Sequence, residues 1–179
     1  VDGFENLSLQ QKTLIYYLSE AALYGRDILW DQNGKYNLLI RHTLEAIYTH
    51  YTGNRTTKDF AAFTIYLKRV WFSNGIHHHY GCDKFTPTFS KSFFHEALTS
   101  LPKDVLPLSD TVNNAEALYH LIAPLLFDPN LIKKRVNQED GEDLILTSSC
   151  NYYGPDVTQK EAEAFYQQMK SASDSRPIM

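Results

Sequence analysis

Residues 56–75 read TTKDFAAFTIYLKRVWFSNG, and their apolar side chains recur every three or four positions. That period predicts an amphipathic helix, because residues three and four apart share one face of an α-helix. Thr56 with Asp59 predicts the start of this helix, and the run Ser73-Asn74-Gly75 predicts its end. The stretch therefore favours a fold built from packed helices.

The same period continues on both sides of this stretch. It predicts helices from Ser8 to Gly25 with a continuation to Asn33-Gly34, from about Tyr36 to Tyr51, from about Ser90 to Leu101, from about Asn113 onward, and from Thr158 to about residue 171. Gly53 is expected to close the helix that begins near Tyr36, and Pro124 is expected to kink or shorten the helix that begins near Asn113.

The stretch between Arg135 and Tyr153 lacks the helical period. Its short apolar runs, Leu144–Leu146 and Cys150–Tyr153, lie between Gly141 and Gly154 and predict one small β-hairpin. The predicted fold is therefore mainly α, with about six helices and a short hairpin. No repeat or linker divides the chain, so residues 1–179 are expected to form a single unit.

Composition excludes several classes of function. The chain has 179 residues and a net charge of −4, which suits one globular domain and disfavours nucleic acid as a partner. Its apolar runs are far shorter than the roughly 20 residues needed to span a bilayer, so no membrane partner is expected. The two cysteines, Cys82 and Cys150, are too few for a disulfide scaffold.

Residues 75–89, GIHHHYGCDKFTPTF, form the first place to look for a functional site. A connector of this length without helical period is usually functional or disordered, and its large aromatic side chains argue against disorder. His77, His78 and His79 resemble metal ligands, but three consecutive side chains diverge and do not converge on one ion. We therefore predict no specific metal site in this chain, although an enzyme that uses His77–His79 with Cys82 remains an alternative.

A second metal-like pattern is incomplete. His95-Glu96 begins like the helix of a zinc peptidase, in which two histidines one turn apart hold the metal. Neither residue 99 nor residue 100 is a histidine, so the second ligand is missing. The residues alone contain no complete active site.

Three long strings give the chain a family resemblance. Residues 16–30 (YYLSEAALYGRDILW), 63–75 (FTIYLKRVWFSNG) and 78–87 (HHYGCDKFTP) resemble the N-terminal part of dipeptidyl peptidase III, particularly its Bacteroidetes members. The similarity extends over essentially the whole chain. Members of that family are zinc-dependent exopeptidases that release dipeptides from the N-termini of short peptides.

The resemblance implies a chain that is only part of such an enzyme. The family's zinc ligands lie in a His-Glu-x-x-Gly-His helix and a later Glu-Glu-x-x-Ala-Asp helix, within an upper lobe that faces a barrel-containing lower lobe across a cleft. Neither motif occurs among the 179 residues. We therefore expect an N-terminal portion of the lower lobe, inactive by itself, whose partners are short peptides and the catalytic lobe of the same protein. Zinc is expected in the full-length enzyme only.

The resemblance also implies where peptides bind. An aromatic residue at the position of Tyr80 lines the cleft in that family, Gly81 follows it, and His79 and Asn74 are neighbouring candidates for substrate binding. A flat aromatic surface suits a cleft that accepts varied peptides. No catalytic residue is expected in this chain.

Two questions stay open from the sequence. A helical interaction module that shares this ancestry but has lost the catalytic lobe would carry the same strings of residues. The compartment is also open, because the family suggests the cytoplasm while members with a removed export signal would be periplasmic or lipid-anchored.

Overall fold

A computed structural model describes residues 2–171 of the chain. Within that range the structure is mainly helical, as predicted. Its helices are α1 (Leu9–Tyr24), α2 (Arg26–Asn33), α3 (Asn37–His50), α4 (Lys58–Ser73), α5 (Lys91–Thr99), α6 (Ala115–Phe127) and α7 (Gln159–Ser171), with single 3-10 turns at Phe4–Asn6 and Lys103–Val105. Only Gly25 separates α1 from α2, so these two helices match the predicted first helix and its continuation.

The helix starts follow from capping side chains. Ser8 and Gln11 form the predicted capping box at α1, and Thr158 with Glu161 does the same at α7. The start of α4 lies one residue later than predicted, because Thr57 accepts the Phe60 N–H at 3.2 Å. Asp59 is committed elsewhere, since its carboxylate accepts the N–H and the hydroxyl of the residue that caps α5, Ser90.

The predicted β-hairpin is wrong. Within the described residues the β-structure consists of isolated bridges that join Lys134 to Asp83 and to Ser148, and His77 to Lys84. Residues 144–147 form a turn because the Asp143 carboxylate accepts the N–H groups of Ile145 and Leu146, each at 2.9 Å. The local hydrogen bonds of an Asp side chain therefore override the strand propensity of the apolar run.

Two further details of the helix ends differ from prediction. Tyr51, with φ of −65°, ends α3 where Gly53 was expected to do so. Position 53 has room only for glycine, because a Cβ atom there would lie 2.2 Å from the Tyr51 hydroxyl oxygen. In α6 the helix continues past Pro124 to Phe127, so the proline does not shorten it.

The hydrophobic core comes from the middle of the chain. Helices α3 to α6 bury one face each, and Trp30, Tyr51, Ile76, Phe89, Leu101 and Leu106 complete the core. At its centre Phe63 packs against Phe89 and Phe93 with ring centroids 5.5 and 6.0 Å apart. Ile76 and Phe89, near the two ends of the loop that follows α4, belong to this core.

Helix α1 lies outside this core. None of its residues is buried, although Leu14 and Leu18 recur at the predicted spacing. Leucine, isoleucine and tyrosine side chains are exposed all around it, at Leu9, Leu14, Ile15, Tyr16, Tyr17, Leu18, Leu23 and Tyr24. No helix in the described range is long and apolar enough to cross a membrane.

Candidate functional site

The loop after α4 leaves the helix in a fixed direction. Asn74 adopts the left-handed conformation with φ of 51°, and its N–H contacts the carbonyls of the last helical turn. Gly75 follows with φ of 153°, where the side-chain amide of Asn37 occupies the space that a Cβ atom would need. The Asn33 side chain donates to the Asn74 carbonyl at 3.1 Å. The end of α4 is therefore tied to α2 and α3.

His77 is an interior residue of this loop. Its side chain is only 2% exposed, and Nε2 donates to the Ile132 carbonyl at 2.7 Å. Burial, together with the nearby charges of Lys84 and Arg135, lowers the pKa of His77 to about 4. His77 is therefore a neutral structural residue at physiological pH.

His78 closes a tight turn. Its Nδ1 accepts the backbone N–H groups of Tyr80 at 3.2 Å and Gly81 at 3.0 Å. Its own backbone N–H donates to the Asp83 carbonyl at 2.8 Å, and its carbonyl accepts the Cys82 N–H at 3.0 Å. Residues 78–83 are consequently held by four short-range hydrogen bonds, with Tyr80 at the tip.

Arg135 supports the turn from the other side. One terminal nitrogen donates to the His79 carbonyl at 2.8 Å, and the other donates to the Asn33 side chain at 3.2 Å. Its backbone N–H also pairs with the Cys82 carbonyl. The sequence carried no local signal for this role, because Arg135 lies 56 residues from His79 in a stretch without periodic pattern.

Three rings form a continuous surface that we call the aromatic platform: Phe72, His79 and Tyr80. The ring of His79 lies 4.8 Å from that of Phe72 and 4.4 Å from that of Tyr80. Tyr80 is 85% exposed and Phe72 is 73% exposed, whereas His79 is half-buried with Nδ1 3.4 Å from the Ser73 hydroxyl. The platform thus presents two large apolar rings to solvent on a supported base.

The predicted binding residues fall in two places. Tyr80, Gly81 and His79 lie together in the turn, where the Gly81 N–H is used by His78. Asn74 lines a different cavity, beside Trp30 and Trp71, and ends α4. The sequence analysis did not identify Phe72 as a binding residue, although it lies on α4 between buried residues.

The possible metal-binding side chains of this region do not form a cluster in the described part of the chain. Among residues 2–171 no group of three or more His, Cys, Asp and Glu side chains is placed to hold a metal. The rings of His77 and His78 are each committed to a hydrogen bond, and the Cys82 thiol contacts the Tyr80 carbonyl at 3.6 Å. We therefore assign no zinc-dependent step to these residues.

A groove lies beside the platform on α4. It has a volume of about 610 Å³, and Ile65, Lys68, Arg69, Phe72, His79 and Phe85 line it. Among the described residues no carboxylate contributes to its lining. Groove and platform together offer ring faces, aliphatic surface and two cationic groups, which suits binding of an extended ligand.

No family model matches the chain, and no curated protein matches it either. The functional interpretation therefore depends on the residues and on their geometry.

Proposed function

We propose that the chain is the N-terminal, substrate-side part of a zinc-dependent dipeptidyl peptidase, in which it forms part of the wall of a peptide-binding cleft. The observation that carries the proposal is the exposed ring of Tyr80 at the tip of a closely hydrogen-bonded turn. An exposed tyrosine on a rigid support is a contact surface rather than a core residue, because folding alone gains little from it.

The support of the turn favours binding over a merely exposed loop. His78 and Arg135 fix the backbone on both sides of Tyr80 before any ligand arrives. A surface that is already ordered loses less conformational entropy when it binds, so its affinity for a short peptide is higher. The ring face accepts many side chains, which suits substrates of varied sequence.

Helix α1 gives independent support for a larger protein. A helix with apolar residues on every side is normally found inside a protein, because one neighbouring element covers only one face. Its exposed leucines and tyrosines therefore suit a helix that is enclosed by chain from the rest of the enzyme. In this proposal hydrolysis belongs to zinc and to residues of the other lobe, and the 179 residues alone release no dipeptide.

The test is to read the source gene in frame beyond codon 179. We expect an encoded His-Glu-x-x-Gly-His sequence, followed further on by Glu-Glu-x-x-Ala-Asp. A stop codon directly after Met179 would overturn the proposal and leave a helical interaction module whose binding partners would then be the question.

A further inference from the structure

We infer that the groove between α4 and the aromatic platform binds the carboxylate end of a short peptide, with Lys68 and Arg69 as the carboxylate-binding residues. The inference rests on the proposed function, because it assigns an orientation to the peptide that contacts Tyr80.

Charge around the groove is the first argument. The whole chain carries a net charge of −4, yet Lys68 and Arg69, which line this groove, are both cationic, and Arg135 supports the neighbouring turn. The nearby carboxylates are committed, since Asp83 pairs with Lys134 at 2.8 Å and Glu139 lies 3.9 Å from Lys133. Lys68 and Arg69 therefore face the groove without a carboxylate among its described lining residues.

The electrostatic environment of His77, next to the turn, agrees with this distribution of charge. Burial is the main cause of the lowered pKa of His77 beside the turn; Lys84 and Arg135 add to it, and Asp83 partly opposes them. A positive region of this kind attracts a carboxylate and repels the protonated N-terminus of a peptide. The peptide is thereby oriented with its acidic end toward α4.

The spacing of the groups sets the length of the ligand. Lys68 and Phe72 are one helical turn apart on α4, about 6 Å between their Cβ atoms. The rings of the platform then lead to Tyr80 in steps of 4.8 and 4.4 Å. Since an extended chain advances about 3.3 Å per residue, the path from Lys68 to Tyr80 is spanned by about four or five residues.

The chemistry of the groove explains why a peptide end fits better than a free anion. Ile65, Phe72 and Phe85 provide apolar surface next to the two cations. A peptide buries apolar side chains there while its carboxylate meets Lys68 or Arg69, and the guanidinium can bind both carboxylate oxygens. A small inorganic anion gains only the charged contact.

The experiment uses the ¹⁵N-labelled 179-residue chain and two forms of the tetrapeptide Ala-Phe-Ala-Ala, one with a free C-terminal carboxylate and one with a C-terminal amide. Backbone amide resonances of Lys68, Arg69 and Tyr80 report binding. We expect the acid to bind about fivefold more tightly than the amide, as expected for one or two exposed charge pairs, and about 0.5 M salt to remove most of the difference.

Variants separate the groove from the net charge of the chain. The double variant Lys68→Gln/Arg69→Gln should abolish the preference for the acid, whereas the control Lys58→Gln/Lys103→Gln should keep it. Tyr80→Ala should weaken both peptides equally. These side chains are exposed, and the amide spectrum of each variant checks that its fold is intact.

Each contrary result has its own meaning. Equal affinity for acid and amide, with Tyr80 resonances still shifting, overturns the carboxylate site and leaves the proposed function standing. No shift at Tyr80 with either peptide overturns both. Tripolyphosphate that binds the groove more tightly than the acid peptide overturns the inference in favour of a phosphate-bearing ligand.

Discussion

Tyr80 is the residue whose removal should affect binding without affecting chemistry. In the proposed longer enzyme we expect Tyr80→Ala to raise KM for peptides roughly three- to tenfold with a smaller change in kcat, because a ring contact of this kind serves the ground state and the transition state alike. Steady-state kinetics on a short peptide measures this. Tyr152→Ala, which removes another exposed tyrosine, is the control. A fall in kcat at unchanged KM contradicts a cleft-lining role.

His77 should make the fold sensitive to mild acid. Its pKa is about 4 in the folded chain and about 6.5 in an unfolded one, so the unfolded state takes up a proton first as the pH falls. Stability from this group is complete above pH 6.5 and is lost as the pH falls toward 4. Between pH 7.5 and pH 5 we expect a loss of about 2 kcal/mol in the free energy of unfolding.

Urea denaturation of two variants tests whether His77 causes this dependence of stability on pH. His77→Gln lowers stability at both pH values, but it should remove most of the difference between them. His50→Gln, at an exposed position, should leave that difference unchanged. The interpretation is wrong if His77→Gln retains the full pH dependence.

Lys84 holds the end of α6 together. Its ammonium group donates to the carbonyls of Leu125 at 3.1 Å, Leu131 at 2.6 Å and Asp128. Lys84→Met leaves these acceptors without their donor, so we expect a loss of about 2 kcal/mol in the free energy of unfolding. Lys103→Met serves as the exposed control in chemical denaturation. Equal stability of the two variants would contradict this role.

Among the helices, α1 is the one whose apolar side chains are expected to contribute least to the stability of the isolated chain. Because Leu14 and Leu18 are exposed, Leu14→Gln/Leu18→Gln should change the free energy of unfolding by less than about 1 kcal/mol. Leu67→Ala, in the core, should cost about 2–5 kcal/mol.

The same pair of variants tests the exposure of α1. The parent chain should bind a hydrophobic dye and self-associate in sedimentation, and the double Gln variant should do both less. A compact parent monomer that binds no dye would contradict the exposed position of α1.

The helices were predictable because their signals are local. Ser8 with Gln11 and Thr158 with Glu161 act within one turn, so four residues of sequence suffice to locate each helix start. Whether a given face of a helix is buried was harder to predict. The spacing of Leu14 and Leu18 predicts a buried face, but whether anything covers that face depends on distant parts of the chain.

The loop and its supports illustrate what the sequence could not supply. Residues 75–89 stand out in the sequence as a candidate site because their composition breaks the helical pattern. The contacts that shape them join residues far apart, such as Arg135 to His79 and Lys84 to Leu125. The hairpin prediction failed for the opposite reason, since the Asp143 side chain makes local bonds that a count of apolar residues does not register.

Stability should be unevenly distributed along the chain. Apart from Trp30 in α2 and Asn137 after α6, the buried residues belong to α3–α6 and their connections, whereas α1 and α7 contribute none of the described ones. Native-state hydrogen exchange should therefore protect amides of α4 and α6 most, and those of α1 and α7 far less. Uniform protection from residue 9 to residue 170 would show that the outer helices fold as one unit with the core.

The contact between Gly53 and Tyr51 has a genetic consequence. Only glycine fits at position 53, because the Tyr51 ring occupies the space that a Cβ atom would need. The backbone conformation at this position does not itself require glycine. That ring is in turn fixed by Phe60 and Phe93. Codons 51 and 53 are thus epistatic: a side chain at 53 becomes permissible only after the aromatic ring at 51 has gone.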